Sequence, residues 1–165
     1  MKKWSLYLAL LVTSYSYSQE KSISSATVPE IIRTYIRVHY PTVKKHQYYK
    51  EISDGNEIIE CDFVLNNDTY SVKFQLDGTY VETERSLKFE ELTPDIQTKI
   101  LESLKSNFSK YKIISAEEIL PSTAYEIKIR GKKGQNKGTF EVYFDKNGEL
   151  IKIVEVINQA IPSLF

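Results

Sequence analysis

The feature that most constrains this chain is an internal duplication. Val28-Pro29-Glu30-Ile31 opens one segment and Thr93-Pro94-Asp95-Ile96 opens another, and each runs through strand-like stretches to an Asp77-Gly78 or Asn147-Gly148 turn. Tandem units stack on their neighbours to bury a shared core, so the architecture is more legible than the chemistry. The repeats span about 27–89 and 92–157.

Each repeat opens on a helix. Thr27 with Glu30 three residues on has capping-box spacing, Ile31, Ile32, Tyr35 and Ile36 recur at helical intervals, and Pro41 ends the run. In the second repeat Thr93 is the expected cap and Pro94 the first helical residue, with Ile96, Ile100, Leu101, Leu104 and Phe108 as the apolar stripe. The period then falls to two. Strands are expected at Lys44 to Ile52, Ile58 to Leu65, Tyr70 to Leu76 and Thr79 to Glu84, and again at Lys110 to Ile119, Thr123 to Ile129, Phe140 to Lys146 and Glu149 to Val156. The second repeat carries Gly131 to Gly138 where the first has Asn66-Asn67-Asp68, which predicts an extended hairpin loop with solvated lysines. The fold class is α+β: two tandem α-β-β-β-β repeats, antiparallel, with the helices on one face.

A two-residue turn at Asp77-Gly78 predicts Leu76 opposite Thr79, Phe74 opposite Val81 and Val72 opposite Thr83 on the helix side. Gln75 with Tyr80, Lys73 with Glu82 and Ser71 with Glu84 are then left on the free face. The same construction at Asn147-Gly148 puts Phe144 against Ile151 and Val142 against Ile153 inside, with Tyr143 beside Lys152 and Glu141 beside Val154 outside. Tyrosines on an open face bring large contact area with few rotors and a polar tip, which suits protein recognition. Lys73, Tyr80, Glu82, Tyr143 and Lys152 are therefore the candidate partner-binding residues.

The first eighteen residues have the layout of a secretory signal: Lys2 and Lys3, an apolar run from Trp4 to Val12, and small residues Ser16 and Ser18 before Gln19. Cleavage after Ser18 is expected, leaving 19–165 as a single domain in the periplasm or outside the cell, with no membrane insertion. Cys61 is the only cysteine, which excludes an intrachain disulfide; its alternation with Ile59, Phe63 and Leu65 predicts burial. The full chain balances 22 basic against 22 acidic residues, so nothing marks it as a nucleic-acid binder.

The order of these pieces resembles the PepSY-like family, the group related to the β-lactamase inhibitory protein. The residues that carry the resemblance are Val28-Pro29-Glu30-Ile31, Tyr40-Pro41, Tyr70 to Phe74 with Asp77-Gly78, Leu92 to Ile96, and Phe140 to Gly148. It implies two small antiparallel sheets joined or nearly joined, helices on one side and the other side open to a partner, and a non-enzymatic role binding or inhibiting another envelope protein. The β-lactamase inhibitory protein is stapled by disulfides and this chain is not, so inhibition of a β-lactamase is not carried over.

No chemistry is concentrated in the sequence. His39 and His46 straddle Pro41, no paired cysteines or calcium-loop spacing occur, and no Gly-x-Ser-x-Gly elbow or phosphate-cradling loop is present. Adjacent Glu117 and Glu118 point to opposite faces of a strand. The expectation is therefore no catalytic, cofactor or metal site, and a monomer that binds another envelope or secreted protein, with inhibition or regulation of a hydrolase or peptidase as the finer form of that expectation. A small-ligand carrier or sensor is the alternative. The apolar terminus Ile161 to Phe165 could dock on the domain or on a partner.

Overall fold

A computed structural model describes residues 15–16, 21–53 and 55–156. It has ten strands, β1 (Tyr15–Ser16), β2 (Lys21–Ile23), β3 (His46–Ser53), β4 (Asn56–Leu65), β5 (Asp68–Gln75), β6 (Tyr80–Leu87), β7 (Lys110–Leu120), β8 (Ala124–Lys133), β9 (Asn136–Phe144) and β10 (Leu150–Val156). Helix α1 (Glu30–His39) lies between β2 and β3, and α2 (Pro94–Asn107) between β6 and β7. All the strands join one sheet in the order β1-β10-β9-β8-β7-β6-β5-β4-β3-β2, antiparallel except for β1 against β10. The two repeats thus share a sheet. The seam is the β6–β7 ladder, from Thr83 opposite Leu120 to Leu87 opposite Ala116. The short strands β1 and β2 were not foreseen, and most of the expected signal segment and the 161–165 tail lie outside the described residues.

Each helix buries its stripe on its own half of the sheet. Ile32 and Ile36 of α1 meet Tyr48, Ile59, Cys61, Phe63, Val72 and Phe74. Ile100 and Leu104 of α2, with Phe108, meet Ile127, Ile129, Phe140, Val142 and Phe144. Cys61 is fully buried, which pushes its thiol pKa up to about 12 and leaves it inert at neutral pH.

Local expectations failed where two backbone solutions compete. Thr27 does not cap α1: its hydroxyl donates to the Ser24 carbonyl at 2.7 Å inside a short 3-10 turn, and Pro29 holds the cap position. Thr93 does occupy the α2 cap position, but its side chain makes no capping bond. Gly131 to Gly138 is not a loop. The β8–β9 ladder continues through Gly131 opposite Gly138 and Lys133 opposite Asn136, and turns at Gly134-Gln135.

The two Gly turns are each one residue longer than predicted. Gly78 N–H donates to the Gln75 carbonyl and Gln75 N–H to the Thr79 carbonyl, with Gly78 at φ +90°, so the loop holds three residues, 76–78. This is a turn closed by a left-handed glycine, and the two-residue left-handed turn falls at Asn66-Asn67, with φ of 54° and 73°. One extra loop residue moves Phe74 opposite Tyr80, and a bulge at Val81 restores Lys73 opposite Glu82. Asp145 to Glu149 repeats the pattern: Phe144 faces Leu150, Ile151 bulges, and Tyr143 still faces Lys152.

Candidate functional site

The bulge changes sides for one candidate. Tyr80 lies on the helix side, stacked on Tyr35 at 5.4 Å, edge-on to Phe74 at 6.2 Å, with its hydroxyl donating to the Leu120 carbonyl at 3.1 Å. It packs the first core and ties the repeats together; its placement on the free face is corrected. Leu76 and Val81, expected inside, are instead exposed on the open face.

The other four candidates, Lys73, Glu82, Tyr143 and Lys152, meet on the open face. They line a groove of about 1100 Å³ that crosses the sheet from β3 to β10. Ten carboxylates and three lysines face it, so it is strongly acidic although the chain as a whole is balanced. Ile52, Leu76, Val81 and Ile151 stand exposed along it, Ile151 at 59%.

Lys73 reaches Glu84 at 2.6 Å and Glu82 at 3.8 Å. Burial disfavours its charge, but Glu84, Glu60 and Glu51 outweigh that and hold its pKa above the ordinary lysine value. Lys152 lies 4.4 Å from the centre of the Tyr143 ring, a cation–π contact. The Tyr143 hydroxyl is hydrogen-bonded to Glu141 at 3.4 Å and also to Glu126; burial and these carboxylates raise its pKa. Lys128 pairs with Glu141 at 3.2 Å.

The carboxylates outnumber what these lysines neutralise. Burial pushes Glu60 up to about 9, helped by a hydrogen bond to Asp62 and by Glu51, and pushes Glu126 up to about 8, helped by Glu141, Glu84 and Glu117. Glu117 is raised as well, by burial first and then by Glu84. Glu60 and Glu126 therefore stay protonated at neutral pH, because ionising them would crowd negative charge in a poorly solvated place.

Glu84, Glu117 and Glu126 bring oxygens within 4.8 Å of one another, the one group among the described residues with the donors for a metal ion. Sequence reasoning missed it. Glu117 faces Glu126 across β7–β8, but Glu84 joins them only through the β6–β7 ladder, which nothing in the local pattern announces. Lys73 and Tyr143 already occupy two of the three. The separation of Glu117 from Glu118 held: Glu118 is on the helix side, where Arg85 bonds it at 2.8 Å.

Comparison with known proteins bears on the fold. A family model described as "Putative beta-lactamase-inhibitor-like, PepSY-like" matches residues 15–62 and 60–152. A DUF2874 family protein from Bacteroides ovatus is 19% identical over 84% of this chain and 97% of its own, with a TM-score of 0.59. A protein of Bacteroides eggerthii described as a putative periplasmic protein is 17% identical over 79% and 93%, TM-score 0.60. A BLIP-like protein of Bacteroides fragilis is 18% identical over 83% and 94%, TM-score 0.56. No curated protein matches. No helix among the described residues is long and apolar enough to cross a membrane. The duplicated helix-and-sheet frame, the single shared sheet and the match from 15 to 152 converge on one assignment: this chain belongs to the PepSY-like, beta-lactamase-inhibitor-like family.

Proposed function

We propose that this chain is a non-enzymatic binding module of the bacterial envelope that engages another protein through the open face of its sheet. The observation that carries the reading is the groove: helices cover one face, while the other holds a hollow with buried charge at its floor and exposed aliphatic side chains along it. Such a surface combines apolar area with charges that fix register and reject wrong partners. Lys73, Glu82, Tyr143 and Lys152 are the residues proposed to meet the partner. A periplasmic setting is supported by the description of the B. eggerthii relative. Regulation of an envelope hydrolase or peptidase is the finer form of the proposal. A small-ligand carrier fits less well, because such sites are lined mainly by apolar groups and this one is lined by carboxylates.

The test is crosslinking capture from the host's envelope fraction with the wild-type protein and a Tyr143→Ala/Lys152→Ala variant as baits. Circular dichroism checks that both are folded. A protein enriched by the wild type and lost with the variant is expected. Identical capture by both baits would remove the open face from consideration.

A further inference from the structure

Charge on the open face is segregated. Beyond the β7 bulge, where Ile114 is 50% exposed, the face changes sign: Lys110, Lys132 and Lys137 form one rung across β7, β8 and β9, and Lys112 and Arg130 begin the next. These side chains share the open face because the alternate rungs, Ile113 with Ile129 and Tyr111 with Gly131, belong to the helix side. The five border a second hollow of about 920 Å³, whose one carboxylate is Glu155. None of them is in an ion pair among the described residues.

Like charges directly opposite across strands destabilise a sheet. Here cation faces cation at one end, and in the groove Glu117 faces a Glu126 that burial and the surrounding carboxylates keep protonated. Each patch repels itself, each would be relieved by the other, and the chain as a whole is balanced at 22 to 22. We propose that the occupant of the acidic groove is the basic end of a second copy of this chain, the two sheets facing one another across a two-fold axis. Both patches lie on one face, so that axis makes two identical contacts per pair, each a basic end over a groove, which is a closed, self-complementary interface. Ile114, between the patches, and Val81 and Ile151 in the groove are covered in the same contact. The proposal rests on reading the open face as a binding surface, and it replaces the expectation of a monomer. An envelope partner then has to displace the second copy before it reaches the groove.

The experiment is sedimentation velocity on the purified protein at about 0.01 M and about 1 M salt, where the screening length is about 30 Å and about 3 Å. A dimer at low salt whose dissociation constant rises at least about tenfold at high salt is expected. Two variants should each weaken the dimer at least about tenfold: Lys110→Glu/Arg130→Glu, which cancels the excess charge of the basic end, and Glu51→Lys/Glu82→Lys, which cuts the excess negative charge of the groove. Mixed in equal amounts they should pair more tightly than either variant does alone, because one of the two contacts then joins an unaltered basic end to an unaltered groove. A wild type that stays monomeric at low salt, a dimer insensitive to salt, or a mixture that pairs no more tightly than either variant would overturn the proposal. These outcomes are independent of the capture experiment. A monomer that still captures an envelope protein removes only the self-docking, and a dimer that captures nothing removes only the partner.

Discussion

Glu60 and Glu126 hold the same place in the two repeats, buried on the open face and one rung from the helix-side core, yet they face different groups. Glu60 stands opposite Lys73 across β4–β5, and Glu126 stands opposite Tyr143 across β8–β9. In the first repeat the partner is a cation that also serves Glu84 and Glu82; in the second it is a neutral hydroxyl whose ring carries Lys152 above it. The duplicated backbone keeps the buried carboxyl in both halves, and the side chain opposite decides how its charge is managed. A cation supports ionised neighbours, whereas a hydroxyl can bond a carboxyl in either protonation state.

The largest test of that difference is to remove the two partners. Lys73→Met leaves Glu84 and its neighbours without their buried cation, and a broken buried pair costs about 3–5 kcal/mol. Tyr143→Phe removes the hydroxyl's bonds to Glu141 and Glu126 and should cost about 1–2 kcal/mol. Chemical denaturation at pH 8 reads both. At pH 5 the Lys73→Met loss should shrink, because carboxyls deprived of the lysine can take up protons. Equal losses for the two variants would mean that the halves manage charge alike.

The tyrosines sharpen the comparison on the other face. Tyr80 is on the helix side, so Tyr80→Ala opens a gap beside Tyr35 and Phe74 and cuts the bond to Leu120 across the seam between repeats. A loss of about 2–4 kcal/mol in denaturation is expected, with capture of a partner unchanged for the fraction that remains folded. Tyr143→Ala should show the reverse, a smaller loss of stability and a loss of capture. If Tyr80→Ala abolished capture in a folded protein, the side assigned to it would be wrong.

Tyr80 also marks where sequence stops informing. The helices, the eight main strands and the pairs Lys73 with Glu82 and Tyr143 with Lys152 follow from period and turn residues, because those signals are local. Asp-Gly suits a two-residue turn and a three-residue turn closed by left-handed glycine equally well, and the choice between them moves one tyrosine through the sheet. The compensating bulges at Val81 and Ile151 restored the register further out, which is why most of the facing pairs survived the wrong turn. The Glu84, Glu117 and Glu126 group and the seam it straddles depend on β6 pairing with β7 across the whole of α2, a tertiary fact with no local signature. Segregation of charge was likewise invisible, because a linear count balances what the sheet separates.

The pH dependence tests both halves at once. In the folded protein Glu60 is raised to about 9 and Glu126 to about 8, from an ordinary value of 4.5, burial being the first cause in each. Between about pH 4.5 and these values the folded state holds protons that the unfolded chain has released, so stability falls as pH rises. One fully protonated group contributes a slope of at most about 1.4 kcal/mol per pH unit. Glu117, raised from 4.5 by burial and Glu84, acts in the same direction within this window, whereas Asp77 and Asp145, lowered from 3.8 by hydrogen bonds from the backbone of their own turns, and Lys73, raised from 10.5, act outside it. The melting temperature should therefore decline from pH 5 to pH 9. Glu126→Gln should flatten the decline up to about pH 8, and Glu60→Gln up to about pH 9, because a glutamine has no proton to lose. Lys73 pulls Glu60 and Glu117 down while Lys128 does the same for Glu126, so removing Lys73 should extend the decline to higher pH through Glu60 and Glu117 and leave the cation beside Glu126 in place. A melting temperature that rose over this range would mean that the groove is fully ionised, and the contrast between an ammonium and a hydroxyl opposite the two glutamates would lose its physical basis.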